Sequence, residues 1–148
     1  MARDRKVIWE REREMVQTGG CLCGSIRYTL NEAPKLCVTC HCKNCQRQAG
    51  SALSIIIGVS EDALEIIGEV KTYNDTGDSG ATVRRQFCGD CGSPVFTRLE
   101  QPGLMFIKAG TLDDTSQLQP AFHCYTKSKQ NWVQLDDIPG FETVPEGL

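Results

Sequence analysis

From Gly19 onward, apolar and polar positions alternate in short runs punctuated by glycine. Residues 25–30 set Ile26, Tyr28 and Leu30 against polar neighbours, the period of two that marks a half-buried strand. Residues 35–42 repeat the pattern with Leu36, Val38, Cys40 and Cys42. Residues 51–59 are rich in isoleucine and predict another strand. Four more are expected at 69–75, 82–88, 93–99 and 104–109, with the turn cluster DTGDSG (75–80) between the first two. Beyond Ala121 one last strand is expected around 132–135, followed by a proline-marked end. Residues 1–17 read as a polar arm, with either an ordered segment at 7–9 or a short helix over 9–15. No solenoid-length repeat, low-complexity tract or linker interrupts the rest. The expectation is an arm (1–17) followed by one domain (18–148), mainly β, of short antiparallel strands with little helix.

Composition narrows the function. The chain has 148 residues, 40% of them hydrophobic, and 14 glycines, which suits a turn-rich domain that relies on more than its core. Net charge is −3 with both signs interspersed, so no basic face points to nucleic acid. The charged start lacks the apolar run of a signal peptide, and no stretch approaches the roughly 20 apolar residues of a membrane span. A soluble, cytoplasmic protein is expected. Its nine cysteines are odd in number and clustered, which in a reducing compartment favours metal binding over disulfides.

Two clusters have ligand spacing. Cys21 and Cys23 are two apart, so on an extended backbone both thiols share a face. Cys88-Gly89-Asp90-Cys91-Gly92 is a knuckle in which two intervening residues turn both sulfurs to one point. Four soft ligands from two distant segments predict a closed tetrahedral zinc of structural type. The alternatives are unrelated buried thiols, or a redox pair at 88 and 91. In TCHCKNC (39–45), Cys40 and Cys42 share a face, and a Lys43-Asn44 turn brings Cys45 to the same point. Three ligands with an exchangeable fourth are how catalytic zinc is usually held. His41 points away from its flanking ligands, and Cys37 falls on the opposite face as a small apolar residue. The alternative is a second structural zinc closed by Cys37, Cys124 or His123.

GGCLCGSIRY, CHCKNCQRQAGS, FCGDCGSPVF, AGTLDD and the tryptophan of NWVQLDD, in that order and spacing, resemble the glutathione-dependent formaldehyde-activating enzyme family, which includes the centromere protein V domain. The resemblance runs from about residue 18 to 141. It implies a β-tent fold with two zincs: a structural one on Cys21, Cys23, Cys88 and Cys91, and a catalytic one on Cys40, Cys42 and Cys45. The implied activity is condensation of formaldehyde with glutathione to S-hydroxymethylglutathione, classed among carbon–sulfur lyases. The implied partners are therefore a small thiol and an aldehyde.

Three cysteine thiolates leave a zinc site formally at −1, which favours delivery of a nucleophilic thiolate over activation of water. An anionic thiol such as glutathione needs cations. Lys43, Arg47 and Lys108 are candidates, although a solvated surface charge is the plainer reading of each. His123 is read as a hydrogen-bonded structural histidine, Trp132 and Phe122 as core, and Gly50-Ser51 as close packing beside the ligand turn. Asp113-Asp114 are read as pairing with a lysine or capping a turn. The competing functions are a zinc scaffold or interaction module without catalysis, and a redox or metal-handling protein.

Overall fold

Alternation becomes strand in seven of the eight segments where the sequence predicts it, with slightly shifted ends. The computed structural model describes residues 16–77, 80–101 and 103–146, so the segments expected at 7–9 or 9–15 lie outside the described residues. The strands are β1 (Gln17–Gly20), β2 (Arg27–Leu30), β3 (Leu36–Cys40), β4 (Ser54–Ser60), β5 (Leu64–Ile67), β6 (Val70–Thr76), β7 (Thr82–Cys88), β8 (Pro94–Leu99), β9 (Leu104–Lys108) and β10 (Phe122–Cys124). The one α-helix among the described residues is α1 (Lys43–Ala49). A small sheet has the order β1-β2-β5, and a large one the order β10-β3-β4-β9-β8-β7-β6. All pairings are antiparallel except β10 with β3. The fold is mainly β, as the pattern predicts.

The main core lies between the sheets. Ile26, Tyr28 and Leu30 from the small-sheet hairpin pack with Ile57, Val95, Phe96, Met105 and Ile107 of the large sheet. Tyr28 meets Phe96 edge-on at 5.5 Å between ring centroids, a favoured aromatic geometry. Burial raises the Tyr28 pKa to about 12, and its hydroxyl shares a hydrogen bond with Thr111 at 2.8 Å.

The large sheet has a second apolar face. Cys40 on β3 lies opposite Ser54 on β4, and Ile56, two residues on, lies opposite Lys108 on β9. Cross-strand partners and i, i+2 neighbours share a face, so Cys40, Ser54, Ile56 and Lys108 all project from the side opposite Ile57 and Ile107. Val38, Cys40 and Cys124 form a separate buried cluster there, flanked by Leu36, Cys42, Cys45, Ile56 and Phe122.

Four expectations fail locally. No strand forms at 132–135: Val133 N–H turns back onto the Gln130 carbonyl, and the Lys129 ammonium bonds both the Gln130 and Val133 carbonyls. Trp132 is accordingly 72% exposed rather than core, with its indole N–H on Gln130 Oε1 at 2.6 Å. The neighbour of β10 is instead the chain near Gly140: His123 N–H bonds the Pro139 carbonyl, and Phe141 N–H bonds the His123 carbonyl. Residues 43–44 begin a helix rather than forming an isolated turn. Lys-Asn-Cys-Gln-Arg-Gln-Ala contains several good helix formers, with Cys42 as N-cap and Gly50 in the left-handed C-terminal position (φ 62°). That φ is why glycine stands at 50; a Cβ there would meet nothing within 4 Å, so close packing is not the reason.

Candidate metal centres and the chemistry around them

The first sulfur group forms where two hairpin tips meet. The β1–β2 tip is a tight turn, not extended backbone: Gly24 N–H bonds the Cys21 carbonyl, and Cys21 N–H bonds the Ile26 carbonyl. The turn serves better than a strand, because it leaves Cys21 inside while Cys23 reaches outward. At the β7–β8 tip, Gly92 takes φ 78° and its N–H bonds the Cys88 carbonyl at 2.9 Å. Leu22 N–H to Ser93 Oγ joins the tips at 3.1 Å.

The sulfurs of Cys21, Cys23, Cys88 and Cys91 all lie within 4.8 Å of one another. Cys21–Cys23 and Cys23–Cys88 are 3.6 and 3.7 Å apart. Sulfur ligands at about 2.3 Å around a tetrahedral zinc sit roughly 3.8 Å apart, so the donor set fits. Its surroundings favour the thiolate at two of the four, Cys21 and Cys91, and raise Cys23. Burial works to raise Cys21, but Ile26 N–H and the Ser25 hydroxyl bring it down to about 7. Hydrogen bonding from Ser93 takes Cys91 to about 5. Ser25 and Ser93 carry no spacing signal; their place two residues from Cys23 and Cys91 is the feature that marks them.

The second group straddles the junction of β3 and α1. Cys40 closes the strand, Cys42 caps the helix by accepting from Cys45 N–H at 3.2 Å, and Cys45 lies in the first turn. Their sulfurs also lie within 4.8 Å of one another. Hydrogen bonds from the Cys40 and Cys45 thiols hold Cys42 far below the ordinary thiol range, and the same sharing pushes Cys40 up. Cys45 rises too, so the sharing favours a thiolate at Cys42 over its two neighbours. Gln46 anchors it from behind, donating to the His41 and Ser128 carbonyls at 2.8 and 2.9 Å.

The neighbours sort as follows. His41 is fully buried outside the sulfur group, its Nε2 on Thr39 Oγ1 at 3.3 Å. His123 joins Thr39 Oγ1 through Nδ1 and Asp136 through Nε2 at 2.9 Å, a hydrogen-bonded structural position. Cys37 packs against the main core. Cys124 sits beside the three sulfurs in the second apolar cluster but outside their 4.8 Å group. Asp113 pairs with Arg27 rather than with a lysine, and Asp114 caps a turn by accepting from Ser116 N–H.

Lys43 and Arg47 are exposed, as a surface charge should be. Lys108 is not: it is 8% exposed and donates to Ser54 Oγ at 2.8 Å. Burial lowers its pKa, and the charge of Cys45, Cys40 and Cys42 opposes that shift. Leu104 and Phe106, which share its face of β9, are the sequence signal that this face is covered, since its immediate neighbours Ile107 and Ala109 lie on the other. Arg85 shares its sheet face and pairs with Asp75 at 2.8 Å.

The family model described as glutathione-dependent formaldehyde-activating enzyme matches residues 16–128. The chain belongs to that family. Within the formaldehyde-activating enzyme family, a Penicillium rubens protein carrying the family's name is 30% identical over 114 residues, which is 73% of this chain and 59% of the relative. A Podospora anserina protein of the same name is 27% identical, with 73% and 53% coverage. The chain thus spans little more than half the length of these curated relatives. A crystal structure of a Rhodobacter sphaeroides protein aligns with 84% of this chain and 99% of its own at TM-score 0.53 and 18% identity, so the two share a fold. Both sulfur groups lie inside the matched segment and are compatible with zinc. No helix among the described residues is long and apolar enough to cross a membrane.

Proposed function

We propose that the chain, through a zinc domain at 18–148, joins a small glutathione-like thiol to formaldehyde or a related aldehyde, the reverse of a carbon–sulfur lyase reaction. Cys21, Cys23, Cys88 and Cys91 would hold a structural zinc, and Cys40, Cys42 and Cys45 a catalytic one. When bound there, the metal supplies acidification of a substrate thiol near neutral pH. The three cysteines position the centre, and the β3–α1 junction fixes them within six consecutive residues. The reaction forms one carbon–sulfur bond and sends the carbonyl π pair to oxygen, which takes up a proton. All nine cysteines are unbridged, which suits a reducing compartment such as the cytoplasm.

The observation that carries this reading is that three sulfurs converge while no fourth histidine, cysteine or carboxylate joins their group among the described residues. Its structural competitor is a scaffold zinc closed by Cys124, which is close by in the same apolar cluster. Exchange NMR on formaldehyde and glutathione separates the two. Native protein should accelerate exchange above the uncatalysed background and Cys42→Ala should not. Equal rates with and without native protein would remove the enzymatic reading.

A further inference from the structure

Lys108 ends the apolar strand β9 with its side chain buried on the face that carries Cys40. A buried ammonium is costly unless an opposite charge compensates it. No carboxylate does so among the described residues. Asp75, Asp113, Glu61 and Asp136 are taken by Arg85, Arg27, Arg98 and His123. Ser54 Oγ satisfies one of the three ammonium protons, and the other two have no acceptor among the described residues. What shares this face is sulfur: Cys40 lies opposite Ser54, the residue that holds the ammonium, and thiols carry negative charge when they ligate a metal.

The charge balance has a consequence for what the centre accepts. Three thiolates around a divalent cation leave a formal −1, which keeps a thiolate nucleophilic once bound but repels it as it arrives, so that a neutral molecule such as water competes for the position. A fixed positive charge beside the sulfurs cancels that repulsion. Arg85 also faces the sulfurs, but Asp75 offsets part of its charge, whereas the Lys108 ammonium has a neutral hydroxyl as its partner among the described residues.

We propose that Lys108 is the specificity-determining cation of the three-thiol centre: its buried ammonium, held by Ser54, offsets the cluster's negative charge and selects a thiolate over water as the incoming ligand. This rests on the reading that the centre accepts a substrate thiol. The thiol's proton leaves to bulk water on binding, and no carbon bond changes in this step. Lys108 acts on the sulfur's charge, so the effect is independent of the rest of the thiol molecule.

The test is calorimetric titration of the zinc-loaded full chain with glutathione and, separately, with uncharged 2-mercaptoethanol. Zinc content of every variant is measured alongside. Lys108→Met should keep its zinc yet bind both thiols about 10- to 100-fold more weakly, the scale of a lost charge-assisted interaction. Lys108→Arg should recover most of the affinity. If Lys108→Met does not fold, Ser54→Ala decides: loosening the anchor should weaken both thiols together, and unchanged affinity would overturn the proposal. A Lys108→Met chain that binds both thiols like the native one overturns it as well. So does a loss confined to glutathione, which would make Lys108 a carboxylate contact. Native protein that binds neither thiol would instead sink the thiol-centre reading together with this one.

Discussion

Nothing in the alternation singles out Gly68, yet the four-sulfur group leans on it. It takes φ 104° between β5 and β6, and a Cβ there would overlap the Ser25 carbonyl oxygen. Ser25 in turn lies at hydrogen-bond distance from the sulfurs of Cys21, Cys23 and Cys88. Gly68→Ala therefore combines a disfavoured backbone conformation with a backbone clash against the ligand loop. It should lose about 2 kcal/mol or more of stability in denaturant titrations. It should also weaken zinc retention in a chelator competition, where a purely local strain would leave retention unchanged. A residue of this kind is invisible to periodicity, because its constraint comes from a segment some forty positions earlier in the chain.

At the scale of elements, strand existence was legible from period-two alternation because each strand of the core buries one face. β2 reads cleanly through Tyr28 and Leu30, and β4 through its isoleucines. Helix α1 was not legible: two turns are too few to show a 3.6-residue period, and three cysteines dominate its start. β10 was missed and a strand at 132–135 expected instead, since both are short and only tertiary pairing with β3 decides between them. Both cysteine groups were legible because ligand spacing is a local constraint. The burial of Lys108 was legible only in Leu104 and Phe106, the apolar residues that share its face of β9. One tie between elements is pH-sensitive. Asp113 accepts from Thr18 and Arg27, linking the segment after β9 to the β1–β2 hairpin. The Arg27 guanidinium and the Thr18 hydroxyl lower its pKa from 3.8 to about 2. A depressed carboxylate stabilises the fold above its unfolded pKa, and the contribution fades as pH falls from about 4 to about 2. Both partners are more than 40% exposed, so solvent screening keeps the effect small. Asp113→Asn should lower the melting temperature by less than about 4 °C at neutral pH. The difference from native should vanish by about pH 2, and a gap that persists there would assign it to packing instead.

For the whole molecule, the two sulfur groups do different mechanical work. Cys21 and Cys23 come from the small sheet's hairpin, Cys88 and Cys91 from the large sheet's. A metal held by these sulfurs would therefore pin together the two layers that enclose the main core, beside buried Ile26 and Tyr28. Cys40, Cys42 and Cys45 all come from one β3–α1 junction on the outer face, so they close no long loop and join no layers. A structural zinc contributes on the order of 10 kcal/mol to small zinc folds, comparable with the whole stability of a domain this size. Cys88→Ser should accordingly abolish the cooperative thermal transition. Cys45→Ser should keep the transition and shift its midpoint by about 5 °C or less. Graded chelation of the native chain should follow the same order, with thiol binding lost first and near-ultraviolet circular dichroism lost later. If tertiary structure and thiol binding disappeared in one step, the outer site would be as integral to the fold as the inner one. The division of labour between a staple and a reactive centre would then fail.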